Sequence, residues 1–237
     1  FVYLGDHARL PYGPRPLEEV SRFAREIAAY LEGQGVKLLL VACNTATSAA
    51  LPQLQEELPV PVVGVITPEA HAAVQATRNR RIGLMATEAT VQAGRYAQLV
   101  RALDAGAELV PVACPRLVPL IESDEPFGAG TTEAVREYAA PLKQAGVDTV
   151  ILGCTHYPLI RPIFQRIFGR GVTLESLKKV MERLAVPSGG RASRKCPRPN
   201  GSRAKKRCTV TKNTGTINSA NHAASNVPPR FSRRSTV

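Results

Sequence analysis

Lys37-Leu38-Leu39-Leu40-Val41-Ala42-Cys43-Asn44-Thr45-Ala46 and Asp148-Thr149-Val150-Ile151-Leu152-Gly153-Cys154-Thr155-His156-Tyr157 are two renderings of one pattern. In each, an apolar run of buried-strand character ends on a small residue, then a cysteine, then hydrogen-bonding side chains, then a helix-forming stretch. The runs 36–43, 61–66, 81–86, 108–113 and 148–154 alternate with stretches rich in Ala, Leu, Glu and Gln at 16–32, 45–57, 68–78, 89–105 and 131–145. That alternation predicts an α/β fold of parallel sheets covered by helices, with functional groups at the carboxyl ends of the strands.

Thr67-Pro68 marks a break between two similar lobes. Residues 1–67 form the first, joined by about 173–186 as the chain returns, and 68–172 form the second, with an active-site cleft between them. Beyond these, 187–237 is dominated by Ser, Arg, Lys, Asn, Thr, Pro and Gly without periodicity and is predicted to be disordered. The chain has 237 residues and a formal net charge of +12. Its charge is uneven: 1–186 carry 19 Lys+Arg against 19 Asp+Glu, and 187–237 carry 12 against none. The basic excess therefore says nothing about the body. In the tail the cations are scattered and only Phe231 could stack on a base, so a frame-shifted or read-through terminus is favoured over a nucleic-acid arm.

No apolar run approaches the roughly 18–20 residues of a membrane span, so a soluble protein is expected. The sequence begins without Met, on residues that read as part of a strand, and an N-terminal truncation is inferred. Five cysteines without a Cys-x-x-Cys pair point to a reducing, cytoplasmic setting.

A thiol at the start of a helix feels the positive end of the helix dipole and nearby N–H donors, which predicts a pKa drawn from about 8.5 toward neutrality. One such cysteine reads most simply as a small buried hydrophobe. Two in matching settings read as a pair of bases. Cys114, in Val112-Ala113-Cys114-Pro115, lacks polar companions and reads as a structural thiol. Cys43, Cys114, Cys154 and His156 could supply four zinc ligands, but their spacing is not that of a zinc site, and no metal is expected. His156, two residues after Cys154, suits an orienting or acid–base role. Covalent thiol catalysis would leave the second thiol unexplained. Two thiols on opposite walls of a cleft suit removal of a proton from one face of a carbon and its return to the other, which inverts a stereocentre.

Four segments then carry a resemblance: Gly5-Asp6-His7-Ala8-Arg9-Leu10-Pro11-Tyr12-Gly13, Ala42-Cys43-Asn44-Thr45-Ala46-Thr47, Ala113-Cys114-Pro115 with Val118-Pro119-Leu120-Ile121-Glu122, and Leu152-Gly153-Cys154-Thr155-His156-Tyr157-Pro158-Leu159. Together, in this order, they resemble the glutamate racemases of the aspartate/glutamate racemase superfamily over about residues 1–174. The resemblance implies cofactor-independent interconversion of L- and D-glutamate, supplying D-glutamate for peptidoglycan. It makes Cys43 and Cys154 the catalytic bases, with His156 and Glu122 assisting Cys154. Tyr12, Gly13, Asn44, Thr45, Thr155 and His156 would bind the substrate, joined by Thr87 and Thr90.

No pyridoxal phosphate is implied, because no Lys follows a strand with a Gly-rich phosphate loop and Lys37 precedes its strand. Nucleotide-binding motifs of the Gly-x-x-x-x-Gly-Lys and Gly-x-Gly-x-x-Gly kinds are missing as well. The expected partner is a small-molecule substrate, glutamate, with no membrane and no nucleic acid; a homodimer is left open. Three departures stand out. The family begins with an Asp-Ser-Gly strand and a helix that would precede Phe1. Its closing Asp-Ser-Gly strand and helix is replaced here by Glu175-Ser176-Leu177 and a short amphipathic helix, and His7 and Thr67 stand where the family usually has Thr and often Glu. Alternatives are racemisation of aspartate or another acidic amino acid, a related cysteine-dependent isomerisation or decarboxylation, or a partial racemase domain that no longer catalyses.

Overall fold

A computed structural model describes residues 2–180; expectations for 181–237 lie outside the described residues. In chain order the elements are α1 (Leu17–Glu32), β1 (Leu39–Val41), α2 (Asn44–Glu57), β2 (Val62–Gly64), α3 (Ile66–Ala76), β3 (Arg81–Ala86), α4 (Glu88–Gln92), α5 (Arg95–Leu103), β4 (Glu108–Ala113), α6 (Leu117–Ile121), α7 (Ala129–Gln144), β5 (Thr149–Gly153), α8 (Arg161–Phe168) and β6 (Thr173–Glu175). Short 3-10 turns cover His7–Arg9 and Tyr157–Ile160.

In α1 the apolar residues fall at helical spacing, and Val20, Phe23, Ala24, Ala28 and Leu31 are buried. That stripe packs on α2 and on Leu39 and Val62 of the parallel pair β1–β2, with Tyr12 closing the cluster against Phe23 at 5.8 Å between rings. Helix α2 lies so close to β2 that a methyl at residue 64 would stand 2.4 Å from Thr47 Cγ2 and 2.8 Å from Leu51 Cδ2. Thr47 is not free to turn away, because its hydroxyl donates to the Val41 carbonyl at 3.0 Å. Gly64→Ala is therefore expected to lever α2 off the sheet at a cost of about 1–3 kcal/mol. A urea titration reads this directly, and an unchanged midpoint would show slack at the contact.

The second sheet runs β4-β3-β5-β6, all parallel, with Ala86 opposite both Ala113 and Gly153. Every β5 residue is buried, as is every β3 residue after Arg81, so both faces are covered. Ile82, Leu84, Ala86 and Ile151 pack against α3 and α5. On the opposite face Met85, Val150 and Leu152 pack against α6, α7 and α8. The period-two alternation thus divides one set of strands between two helix layers.

Strands β3 and β4 occupy the residues expected of them. The first two strands are shorter than their apolar runs: β1 ends at Val41, ahead of α2 with its cap at Cys43, and β2 ends at Gly64 because Ile66 already begins α3, with Pro68 in the first turn where its missing N–H has no helical partner. The expected helix over 89–105 is two helices. Gly94, at φ 65°, adopts a left-handed conformation that a right-handed helix cannot contain. Of the segment 173–186, residues 173–175 form β6, hydrogen-bonded to β5. Among the described residues no helix is long and apolar enough to cross a membrane.

Candidate active site

Both marked thiols stand just beyond strand ends. Cys43 follows β1 by two residues and caps α2, its carbonyl accepting from Thr47 N at 2.8 Å. Cys154 directly follows β5 and opens the turn into Tyr157–Ile160, its carbonyl accepting from Tyr157 N at 3.1 Å. Cys43 is half-buried and Cys154 only 7% exposed. The expected lowering of their pKa values does not occur. Burial pushes Cys43 up, outweighing the Thr45 and Ala46 N–H groups and the Thr45 hydroxyl aimed at its sulfur. Burial likewise pushes Cys154 up to about 12 against the N–H groups of His156 and Tyr157, and negative charge on Cys43 or Glu69 raises it further. Helix-start donors are present as anticipated, but desolvation of the thiolate is the larger effect.

Behind Cys154 stands His156, its Nδ1 at 3.6 Å from Cys154 Sγ and its Nε2 at 2.9 Å from Glu122 Oε1. Glu122, just past the end of α6, can only accept as a carboxylate, so Nε2 carries the hydrogen. In the neutral ring Nδ1 is then a bare acceptor turned to the thiol. The expected trio of Cys154, His156 and Glu122 is thus brought together.

The other expected residues gather in two groups. Thr45, Thr87 and Thr90 form a buried hydroxyl triangle with sides of 2.9, 2.9 and 3.3 Å. Over it lies Gly13, whose carbonyl accepts from Ala89 N at 3.1 Å; a Cβ there would come within 3.0 Å of Thr87. Tyr12 is buried and its hydroxyl donates to Asp6, which also pairs with Arg9 at 2.6 Å. Thr155 is exposed. Asn44 is buried and turned inward: its Nδ2 donates to Glu69 Oε2 at 2.7 Å and to Tyr96 Oη at 2.8 Å, leaving Oδ1 buried without a hydrogen-bond partner among the described residues.

Glu69 and Tyr96 were not anticipated. An acid in the first turn of a helix reads as ordinary compensation of the helix dipole, and no local signal ties it to residues far along the chain. Cys114 packs in the core beneath β3 and β5, its thiol pushed up to about 12 by burial. A surface hollow of about 530 Å³ lined by Thr132, Arg136, Lys143, Arg166 and Ile167 includes none of the candidate residues.

A family model described as Asp/Glu/Hydantoin racemase matches residues 2–175. A curated glutamate racemase from Lactiplantibacillus plantarum is 48% identical over 172 residues, covering 73% of this chain and 63% of its own length. The chain therefore spans just under two thirds of the relative it matches. The structure of a glutamate racemase isoform from Bacillus anthracis superposes with a TM-score of 0.72 at 40% identity, covering 76% of this chain and 68% of that one. A glutamate racemase from Francisella tularensis in complex with D-glutamate superposes with a TM-score of 0.68 at 30% identity, over 76% and 68% of the two chains.

Proposed function

The chain belongs to the Asp/Glu/hydantoin racemase family, and we propose that it interconverts L- and D-glutamate without a cofactor, with Cys43 and Cys154 as the two bases. The observation carrying this reading is the matched pair of thiols at strand ends, one of them backed by His156 and Glu122. Inverting an α-carbon requires a base on one face and an acid on the other. Charge on Cys43 disfavours charge on Cys154, so once one thiol ionises the other stays protonated, leaving one thiolate beside one thiol. That is the combination the reaction consumes and regenerates.

The thiolate takes the α-proton, and the electron pair left behind spreads into the adjacent carboxylate. The second thiol then gives its proton to the opposite face, so the two sulfurs finish with exchanged protonation states. The substrate ammonium, brought beside the thiols, offsets the burial that otherwise keeps them protonated. His156 orients or relays the Cys154 proton through Nδ1. The hydroxyls of Thr45, Thr87, Thr90 and Thr155, with the Tyr12–Gly13 segment, are donors suited to substrate carboxylates, and the unpaired Asn44 Oδ1 suits the ammonium. The complex of the Francisella relative with D-glutamate supports the choice of substrate. D-Glutamate made in the cytoplasm would feed peptidoglycan synthesis.

Deuterium incorporation at the α-carbon of L- and D-glutamate tests the reading. Exchange of both enantiomers is expected; saturation by aspartate with no response to glutamate would reassign the substrate, and no exchange with any acidic amino acid would overturn catalysis. Within the same assay His156→Asn should slow exchange about tenfold, close to 1.4 kcal/mol of barrier, since it removes the imidazole behind one thiol and leaves both thiols in place.

A further inference from the structure

Glu69 has no part in the chemistry above, yet it is a carboxyl only 1% exposed among groups from several elements. Its Oε2 accepts from Asn44 Nδ2 at 2.7 Å and from the Tyr96 hydroxyl, and its Oε1 accepts from Leu177 N at 2.7 Å. Each of these contacts leads toward a thiol. Asn44 immediately follows Cys43. The Tyr96 hydroxyl lies 3.3 Å from where a Cβ on Gly153 would sit, one residue before Cys154. Leu177 follows β6, which is hydrogen-bonded to β5, the strand that ends beside Cys154.

Every group meeting the Glu69 oxygens donates, so a carboxylate satisfies them all, whereas an amide must set one donor against another. We propose that Glu69 is a positioning residue: its buried carboxylate ties the segment behind Cys43 to the segment before Cys154 and so aligns both thiols. The catalytic consequence rests on the racemase reading; the alignment of the thiols does not.

The ionisable groups around Glu69 are few. Helix α5 presents Tyr96, β5 leads to Cys154, β6 brings Glu175, ion-paired with Lys179 at 2.8 Å, and α2 presents the uncharged Asn44 with Cys43 at its cap. Burial lifts the Glu69 carboxyl to about 7 against the hydrogen bonds of Tyr96, Leu177 and Asn44. The tie is therefore complete only above neutral pH, which gives exchange an acid limb near pH 7.

The test compares the full chain with its Glu69→Gln variant in two measurements. The first is the rate of alkylation of each cysteine by iodoacetamide, resolved by mass spectrometry with buried Cys114 as internal reference. The second is the pH profile of α-proton exchange. The variant should alkylate several-fold faster at both Cys43 and Cys154. Its kcat for exchange should fall about tenfold to a hundredfold with KM little changed, and the acid limb near pH 7 should vanish. Unchanged alkylation at either thiol, or an acid limb that survives, overturns the proposal. If the wild-type chain exchanges no substrate, the racemase reading fails while the alkylation rates still decide the role of Glu69. Should Glu69→Gln fail to fold, Tyr96→Phe keeps the carboxylate with its Asn44 and Leu177 bonds; faster alkylation at Cys154 than at Cys43 then supports the tie, and no change at either removes it.

Discussion

Cys43→Ser and Cys154→Ser are each expected to lower α-proton exchange with glutamate by about 10²–10⁴-fold, the range over which a positioned general base contributes. Serine keeps the shape of the side chain at the strand end but offers a hydroxyl that ionises far less readily than a thiol. The two variants should also fail differently. A base on one face of the α-carbon reaches the proton of only one enantiomer, so each variant should retain more residual exchange with one enantiomer than with the other. The preference should be opposite in the two variants, and measuring both enantiomers against both variants in D2O gives four rates that must show that reversal. Equal exchange in wild type and variants would sink the two-base role, and losses with the same enantiomer preference would place both thiols on one side of the reaction.

The two lines that suggest this experiment, the repeated strand-to-cysteine pattern and the segment Pro11-Tyr12-Gly13, were legible because local sequence determines them. A run such as Ile82-Gly83-Leu84-Met85-Ala86 can only be covered on both faces, and it is. What local sequence could not show is how long a short strand lasts. At Val62–Gly64 the strand ends early because α3 begins at Ile66. Thr173–Glu175 has no apolar run at all and becomes a strand only because β5 offers it an open edge.

The site divides along the same line. His156 lies two residues from Cys154, and their association could be read from the spacing. Glu122 is far from both in sequence and entered through the resemblance, and the structure brings it to 2.9 Å from His156. Thr45, Thr87 and Thr90 meet only because α2 and α4 pack together. Glu69 has partners 25, 27 and 108 positions away. Nothing in Thr67-Pro68-Glu69 distinguishes it from a first-turn acid. The thiol pKa values misled for a related reason: a dipole can be read from where a helix starts, but desolvation depends on everything that later covers the sulfur.

Glu69 should also leave a signature on stability that does not depend on substrate. Burial outweighs three hydrogen bonds and lifts its carboxyl from the ordinary 4.5 to about 7. The folded chain therefore holds a proton that the unfolded chain has released, over the interval between those values. For an acid raised on folding, the stabilising contribution is full below the unfolded value and is lost as pH rises through the folded one. The stability difference between wild type and Glu69→Gln, which has no proton to lose there, should shift against wild type by about 3 kcal/mol between pH 4.5 and pH 8. Asp148 does not mimic this. Burial would raise it, but hydrogen bonds from Thr77, Arg78, Asn79 and Thr149 prevail and hold it below its usual range, so its contribution is lost at more acid pH. Cys154, at about 12, and the buried tyrosines Tyr96 and Tyr157, raised by burial, titrate well above the interval. Urea titrations of both chains at steps from pH 4.5 to 8 isolate the effect, because whatever the glutamine costs in packing or hydrogen bonding is nearly the same at every pH. A difference that stays constant across the series would mean that Glu69 is already ionised at pH 4.5, with its three donors strong enough to overcome burial.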